Sequence, residues 1–209
     1  SGGKTYMLFM AWQIPKDQHW RGDIGRLLLS NENDNLELVG KSPLLSLDDT
    51  DPISLSYPWV MYDEGMYKMW YGSTVTWKCD NGEMIHTIKY ATSFDGESWK
   101  RHGIAVPYLE NHSQAFSRPS VIKDKNGYHM WYSVRSGLGE KYRIGYSHSE
   151  DGSKWTQSQF SGIDVSPNGW DSEMICYPFV FKHNGQTYML YNGNNYGKFG
   201  FGLAVLDKA

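Results

Sequence analysis

The stretch Ser56-Tyr57-Pro58-Trp59-Val60 returns twice in related form, as Ser117-Arg118-Pro119-Ser120-Val121 and as Cys176-Tyr177-Pro178-Phe179-Val180. The three prolines are 61 and 59 residues apart. An aromatic segment begins eleven residues after each proline, as Met69-Trp70-Tyr71, Met130-Trp131-Tyr132 and Met189-Leu190-Tyr191. Self-similarity at a fixed period of this size is typical of architectures in which one supersecondary unit stacks on the next. The chain is therefore predicted to be an array of repeats.

Each repeat has the pattern of four antiparallel strands. A turn such as Asp63-Glu64-Gly65 joins the proline segment to the aromatic segment, which predicts a hairpin. A third strand is expected at Ile88–Ser93 and at Arg143–Ser149, each ending in an Asp-Gly turn. The fourth strand is expected at Ile104–Val106 and Gly162–Val165. Four antiparallel strands in a period of about sixty residues predict an all-β propeller of four-stranded blades.

The repeats divide the chain into a partial blade at 1–49, blades at 50–110 and 111–167, and a partial blade at 168–209. No proline segment precedes Lys4–Phe9 in the first unit, and no fourth strand follows Gly200–Val205 in the last. We therefore expect one domain of about three and a half blades, whereas closed propellers have about four to eight. The sequence predicts that an N-terminal part of the propeller is missing, or that a second chain covers the open strand edges.

Composition excludes several kinds of partner. The formal net charge is -3 without a basic run, which argues against a nucleic-acid partner. No apolar stretch approaches the length of a membrane span, so no membrane partner is expected. The seven His residues show no metal-ligand spacing, and no Gly-rich phosphate loop is present. The sequence therefore predicts neither a metal nor another cofactor.

Aromatic residues make up 15% of the chain, and most are expected in the blade cores. Five rings fall outside the strand pattern and are candidates for stacking on sugar rings: Trp12, Trp20, Trp77, Trp170 and Tyr196. Asn192 and Asn194 lie in an amide-rich loop at 192–197, and side-chain amides can bond sugar hydroxyls. The alternative for this loop is an ordinary turn.

The strand motifs resemble those of a known superfamily. The Ser-x-Pro-x-Val, Met-Trp-Tyr and Asp-Gly-x-x-Trp patterns, with the segment Trp170–Pro178, are similar to the five-bladed propellers of glycoside hydrolase families 32 and 43 and their uncharacterised relatives. The resemblance covers nearly the whole chain. It implies a five-bladed propeller, a carbohydrate ligand and glycosidase activity in a pocket on the propeller axis.

In that superfamily the catalytic carboxylates lie near the starts of the inner strands. Glu173 resembles the general acid, and Asp171 and Asp51 are the other carboxylates upstream of repeated prolines. Hydrolysis usually needs a second carboxylate, which Asp171, Asp51 or the missing N-terminal blade could supply. Arg118 resembles the arginine of the Arg-Asp-Pro motif of family 32, but here Pro119 follows it directly. We expect Glu173 and Asp171 to act in catalysis, and Arg118 and Asp51 to bind substrate.

Three functions stay open on the sequence alone. The leading interpretation is a glycosidase acting on an oligosaccharide or glycoconjugate. A carbohydrate-binding propeller without catalysis is favoured by the altered arginine motif. A protein-interaction propeller would be favoured by an apolar axial pocket. At residue level, the alternatives are an ion pair between Glu173 and Arg118, and a turn-capping role for Asp171.

Overall fold

The structure is a computed structural model and describes residues 3–30, 35–137 and 139–207. Its strands form four consecutive groups. The first group contains β1 (Thr5–Gln13), β2 (Arg21–Leu29) and β3 (Leu36–Leu38). The second contains β4 (Leu55–Asp63), β5 (Met66–Thr76), β6 (Ile85–Ser93) and β7 (Lys100–Ile104). The third contains β8 (Ala115–Asp124), β9 (Gly127–Arg135), β10 (Arg143–Ser149) and β11 (Thr156–Ser158). The fourth contains β12 (Cys176–His183), β13 (Gln186–Asn192), the short helix α1 (Asn194–Gly197) and β14 (Phe201–Val205).

Every group is an antiparallel meander, in which each strand pairs with the next one along the chain. The second and third groups are joined by a single parallel pair, His86 with Ala115, and the other groups form sheets of their own. The all-β antiparallel prediction is therefore confirmed. The sequence also predicts a turn at Asn33-Asp34-Asn35 in the first unit, and its first two residues lie outside the described residues.

The outer strands differ from the sequence prediction. β7 and β11 begin soon after the Asp-Gly turns, at Lys100 and Thr156, and not at 104–106 and 162–165. The turns are tight because the Asp95 carboxylate accepts the backbone N–H groups of Glu97 and Ser98, both at 2.8 Å. Pairing therefore resumes earlier than the apolar pattern suggested. The residues expected to form the fourth strand of the second group lie mainly in the core, where Val106 is fully buried.

The largest core cluster lies between the second and third groups. Trp70 of β5 and Trp155 of the β10–β11 turn meet edge to face with ring centroids 5.9 Å apart. Both indole N–H groups donate to the carbonyl of Gly152, at 2.8 and 2.9 Å. Burial of such rings contributes about 1.5–3 kcal/mol each to stability. The third group's turn is thus fixed against the second group by packing and by a shared acceptor.

An ion cluster joins the same two groups at the turn ends of their hairpins. Asp63 of β4 accepts from Lys123 of β8 at 2.8 Å, from Lys68 at 3.2 Å and from the Tyr128 hydroxyl. Burial alone would raise the pKa of Asp63, but the hydrogen bonds from Lys123 and Tyr128 outweigh it and lower the pKa to about 2. The ionised carboxylate therefore stabilises the folded protein.

Asp63→Asn should lower the free energy of unfolding at pH 7. It should also make the free energy of unfolding depend less on pH in the acid range. The pKa of Asp63 is lower in the folded than in the unfolded chain, so its contribution is present above about pH 4 and is lost as the pH falls towards about 2. Denaturant titrations at several pH values measure this. Asp80→Asn, at an exposed position, is the control. Parallel acid profiles for wild type and Asp63→Asn would contradict the assignment.

Candidate functional site

The repeated prolines build a distorted backbone at one end of the inner strands. The pairing of β4, β8 and β12 shifts register at Ser56/Trp59, Ser117/Ser120 and Cys176/Phe179. The residue before each proline has a positive φ, which is 46° at Tyr57, 51° at Arg118 and 57° at Tyr177. Such a conformation costs a non-glycine residue about 1–3 kcal/mol and clusters at functional sites. The same bulge in three repeats marks this end of the strands as the candidate site.

The strained backbone is held by polar groups of neighbouring strands. The backbone N–H of Tyr177 donates to the Ser133 hydroxyl at 2.7 Å, and that of Val180 donates to Ser120 at 2.8 Å. Ser120 and Ser133 are completely buried, so these bonds are protected from water. Donors that lose their ladder partners at the bulge are therefore satisfied by the adjacent group.

An open cavity of about 330 Å³ lies beside these bulges and receives residues from all four strand groups. We call it the tyrosine cavity. It is lined by Met10, Trp12, Trp20, Tyr57, Met84, His86, Ser117, Arg135, Tyr142, Tyr177 and Tyr196. Rings dominate this lining, and Arg135 is its charged residue. Within the described residues, the lining contains no carboxylate.

Four tyrosines surround one side of the tyrosine cavity. The ring of Tyr177 lies 6.0 Å from Tyr57, 6.3 Å from Tyr142 and 6.0 Å from Tyr196, between ring centroids. Burial raises the pKa of Tyr177, and it raises the pKa of Tyr142 to about 12. Both hydroxyls are therefore neutral at physiological pH. They can donate and accept hydrogen bonds, while the ring faces provide apolar contact.

Arg135 in the cavity wall is paired with Glu83, which lies outside the lining. Nη2 of Arg135 donates a hydrogen bond to Oε1 of Glu83 at 3.0 Å, and Nε lies 2.8 Å from Oε2 as an ion pair. The guanidinium lies 4.9 Å from the Tyr142 ring centroid. Glu83 is only 2% exposed. The Glu83 carboxylate therefore neutralises the charge of Arg135. Sequence reasoning singled out neither residue, since they lie in different repeats without a shared motif.

His86 is a neutral polar group in the cavity wall. Its Nε2 lies 2.8 Å from the Ser56 hydroxyl, and its Nδ1 lies 2.8 Å from the Thr74 hydroxyl. Burial lowers the pKa of His86 to about 4. The imidazole therefore stays neutral at physiological pH and adds no charge to the site. His86 has no metal-ligand spacing in the sequence, and both of its partners in the structure are hydroxyl groups.

The structure places the predicted aromatic residues at different depths. Tyr196, Trp12 and Trp20 line the tyrosine cavity. Trp77 lies behind Trp20, with centroids 4.9 Å apart, and stacks on His19 at 4.8 Å. It is outside the lining but supports a ring that belongs to it. Tyr57 and Tyr177, which also line the cavity, were missed although they precede the repeated prolines; that position was the available signal.

The predicted sugar-binding residues of the fourth group mostly contact other residues of the same group. Trp170 stacks on Tyr191 with centroids 5.6 Å apart, and the Asn192 amide donates to the Tyr196 carbonyl at 3.1 Å. Asn194 Oδ1 accepts the backbone N–H groups of Glu173 at 2.8 Å and Met174 at 3.0 Å. The turn alternative for these amides is thus favoured over direct sugar contact. Their placement fixes the loop that presents Tyr196.

Glu173 is exposed, while its backbone is held on two sides. Asn194 accepts its N–H, and Arg143 donates to its carbonyl at 2.8 Å. Among the described residues, no ion pair joins the Glu173 carboxylate to Arg118 or to another cation. Its neighbour Met174 packs against Tyr142 and Tyr177 of the cavity wall. Glu173 therefore lies on a fixed segment next to the tyrosine cavity with a free carboxylate.

Asp51 and Asp171 occupy equivalent positions in two repeats, seven residues before Pro58 and Pro178. Each accepts a tyrosine hydroxyl from the second strand of its group, Tyr71 to Asp51 at 2.8 Å and Tyr191 to Asp171 at 3.0 Å. Asp51 is 0% exposed and Asp171 is 4% exposed. Neither belongs to the lining of the tyrosine cavity. The recurrence of one buried pair favours a structural role for both carboxylates.

Asp51 is also the centre of a buried ion network. Lys89 Nζ lies 2.8 Å from its Oδ1, and Arg101 Nη1 lies 2.6 Å from its Oδ2. Burial alone would raise the pKa of Asp51, but hydrogen bonds from Lys89 and Ser73 outweigh it and hold the pKa below its ordinary value. The carboxylate is fully engaged by protein groups.

No family model matches the sequence. Two proteins of Mycobacterium tuberculosis, uncharacterized protein Rv1502 and uncharacterized protein MT1551, are 43% identical over 209 residues, which is 99% of this chain and 69% of each relative. The chain belongs to the family of these mycobacterial proteins. Within the described ranges, no helix is long and apolar enough to cross a bilayer.

Solved structures of glycoside hydrolases share the fold. One glycoside hydrolase has a TM-score of 0.77 at 16% identity and covers 100% of this chain, which spans 64% of that protein. A glycosyl hydrolase from Bacteroides ovatus has a TM-score of 0.67 at 18% identity; the match covers 99% of this chain and 64% of that protein. The Bombyx mori family 32 β-fructofuranosidase BmSUC1 has a TM-score of 0.67 at 13% identity; the match covers 90% of this chain and 40% of that protein. The chain therefore shares the fold of the propeller glycoside hydrolases, which confirms the resemblance in fold.

Asp51→Ala should lower the free energy of unfolding by about 3–5 kcal/mol, because it leaves Lys89 and Arg101 without their buried counter-charge. Denaturant titration at pH 7 measures the loss. Asp49→Ala, two residues away and exposed, should change stability little. Equal stabilities for the two variants would show that the Asp51 network is not structural.

Proposed function

We propose that this protein is a glycosidase that binds an oligosaccharide or glycoconjugate in the tyrosine cavity and cleaves it by carboxylate general acid/base chemistry. One observation carries the proposal: in a glycoside hydrolase fold, the strained ends of three inner strands converge on a cavity rich in rings and hydroxyls. We further propose five blades, with blades at 50–110 and 111–167 and partial blades at 1–49 and 168–209. Another segment or chain would cover the exposed side chains of β14, such as Phe201.

The lining of the tyrosine cavity suits a sugar. Its volume of about 330 Å³ is at the lower end of ordinary ligand pockets. Flat rings such as Tyr177 and Trp20 can stack against the C–H faces of a pyranose or furanose ring. Neutral Tyr142 and His86 provide hydrogen-bonding groups for hydroxyls without adding charge. The combination of stacking surfaces and neutral polar groups supports a carbohydrate ligand.

We assign Glu173 as the general acid. Its carboxylate is free among the described residues, and its backbone is fixed by Asn194 and Arg143 beside the cavity wall. As general acid, Glu173 would donate its proton to the leaving oxygen of the glycosidic bond. Asp171 would then act as a positioning residue through Tyr191. The relatives are longer than this chain, and we propose that their remaining part supplies the second carboxylate.

A carbohydrate-binding protein without catalysis is the second candidate. The observation in its favour is that the cavity lining, within the described residues, has no carboxylate, while nearby Glu83 is bound by Arg135. A protein-interaction role gains no support from the lining, because polar groups such as His86, Ser117 and Arg135 interrupt its apolar surface.

Glu173→Gln should reduce turnover by about two to four orders of magnitude, because it removes the transferable proton while keeping the size of the side chain. Substrate affinity should change little. A screen of aryl glycosides and natural oligosaccharides with the native protein identifies a substrate, and initial rates with calorimetry compare the variants. Glu150→Gln, an exposed glutamate in the β10–β11 turn, is the matched control.

Two results would decide against parts of this proposal. Turnover of Glu173→Gln at the wild-type rate would remove Glu173 as the acid. Binding of sugars by wild type without cleavage of any would leave the non-catalytic carbohydrate-binding function.

A further inference from the structure

Arg118 differs from every other arginine of the chain in its charge environment. The sequence contains six arginines, and the other five each form an ion pair with Asp or Glu. These five are Arg21, Arg26, Arg101, Arg135 and Arg143. Among the described residues, no carboxylate lies within ion-pair distance of the Arg118 guanidinium. Arg118, the arginine without a carboxylate partner among the described residues, lies in the second of the three repeated proline motifs.

Arg118 is also held at the site by its backbone and by a ring. It lies in the β8 bulge with φ of 51°, directly after Ser117, which lines the tyrosine cavity. Its guanidinium carbon lies 5.7 Å from the ring centroid of Tyr177, another lining residue. The side chain is exposed, so a ligand can reach it. The positive φ recurs before the other two prolines, at Tyr57 and Tyr177, so the bulge presents whichever side chain precedes the proline; in this repeat it presents an exposed guanidinium.

The rest of the site leaves this charge uncompensated. Arg135, the charged lining residue, is paired with Glu83, and burial keeps His86 neutral. The lining, as far as the structure describes it, has no acidic side chain that would repel an anion. A guanidinium presents parallel N–H donors that match a carboxylate, sulfate or phosphate group.

We infer that the natural ligand is an acidic carbohydrate whose anionic group binds Arg118 while its sugar ring contacts Tyr177. This inference rests on the proposed carbohydrate function and narrows its substrate class. Neutral sugars would contact the same aromatic rings but would leave the Arg118 guanidinium without an anionic partner.

Calorimetry on the native protein tests the inference with a matched pair of ligands, trigalacturonate and its methyl ester. The ester keeps the size of the sugar and removes the charge. Wild type should bind trigalacturonate about ten- to a hundredfold more tightly than the ester, the usual range for one charged hydrogen-bonded contact. Galactose 6-sulfate and galactose 6-phosphate, compared with galactose, show whether another anion is preferred; preference for either of them also supports the inference.

Arg118→Gln should reduce affinity for the preferred anion about ten- to a hundredfold and leave affinity for its neutral counterpart unchanged. Lys125→Gln removes one positive charge from the other end of the same hairpin, where the side chain is exposed, and should preserve the preference. Arg118→Lys keeps the charge but loses the planar fork, so it should retain part of the preference. If Arg118→Gln fails to fold, the Lys variant and the wild-type ligand pair still decide the question.

The outcomes separate this inference from the proposed function. Equal wild-type affinity for the charged and neutral ligands would overturn the inference and leave a carbohydrate-binding protein. An intact anion preference in folded Arg118→Gln would overturn the role of Arg118. Absence of binding to every acidic and neutral carbohydrate tested would overturn both.

Discussion

The proline in each inner strand is the constraint on which the site depends. Proline cannot donate a ladder hydrogen bond, and it disfavours the right-handed α region for the residue before it. Each inner strand shifts register beside its proline, and Tyr57, Arg118 and Tyr177 there have positive φ values. The bulge directs these side chains away from the regular alternation of the strand. One repeated sequence feature thus produces both the period of the fold and the residues at the candidate site.

Buried polar contacts between strand groups offset the cost of this distortion. The Ser133 and Ser120 hydroxyls accept N–H groups of the β12 bulge. Trp70 and Trp155 share the Gly152 carbonyl in the core between the second and third groups. A strained site of this kind persists when its surroundings over-determine it. Contacts between the groups therefore hold the strained strand ends beside the cavity.

The sequence predicted the strands well because their signals are local and repeat. The outer strands were misplaced because apolar residues such as Val106 suit a core loop as well as a strand. The candidate site was harder to predict, since it depends on residues distant in sequence. Glu83 and Arg135 are 52 positions apart and meet only in the folded chain. The amide of Asn194 looked available for a sugar, yet its own loop uses it.

Equivalence between repeats distinguishes residues that the sequence left ambiguous. Asp51 and Asp171 make the same contact in two groups, which is expected of a structural element that recurs with the fold. Arg118 has no such counterpart, because tyrosines occupy the matching positions 57 and 177. The resemblance to family 32 would place an aspartate between Arg118 and Pro119. Its absence also removes a carboxylate that could neutralise the guanidinium. The departure from the motif and the unpaired cation are therefore one feature, and that feature favours a binding role for Arg118.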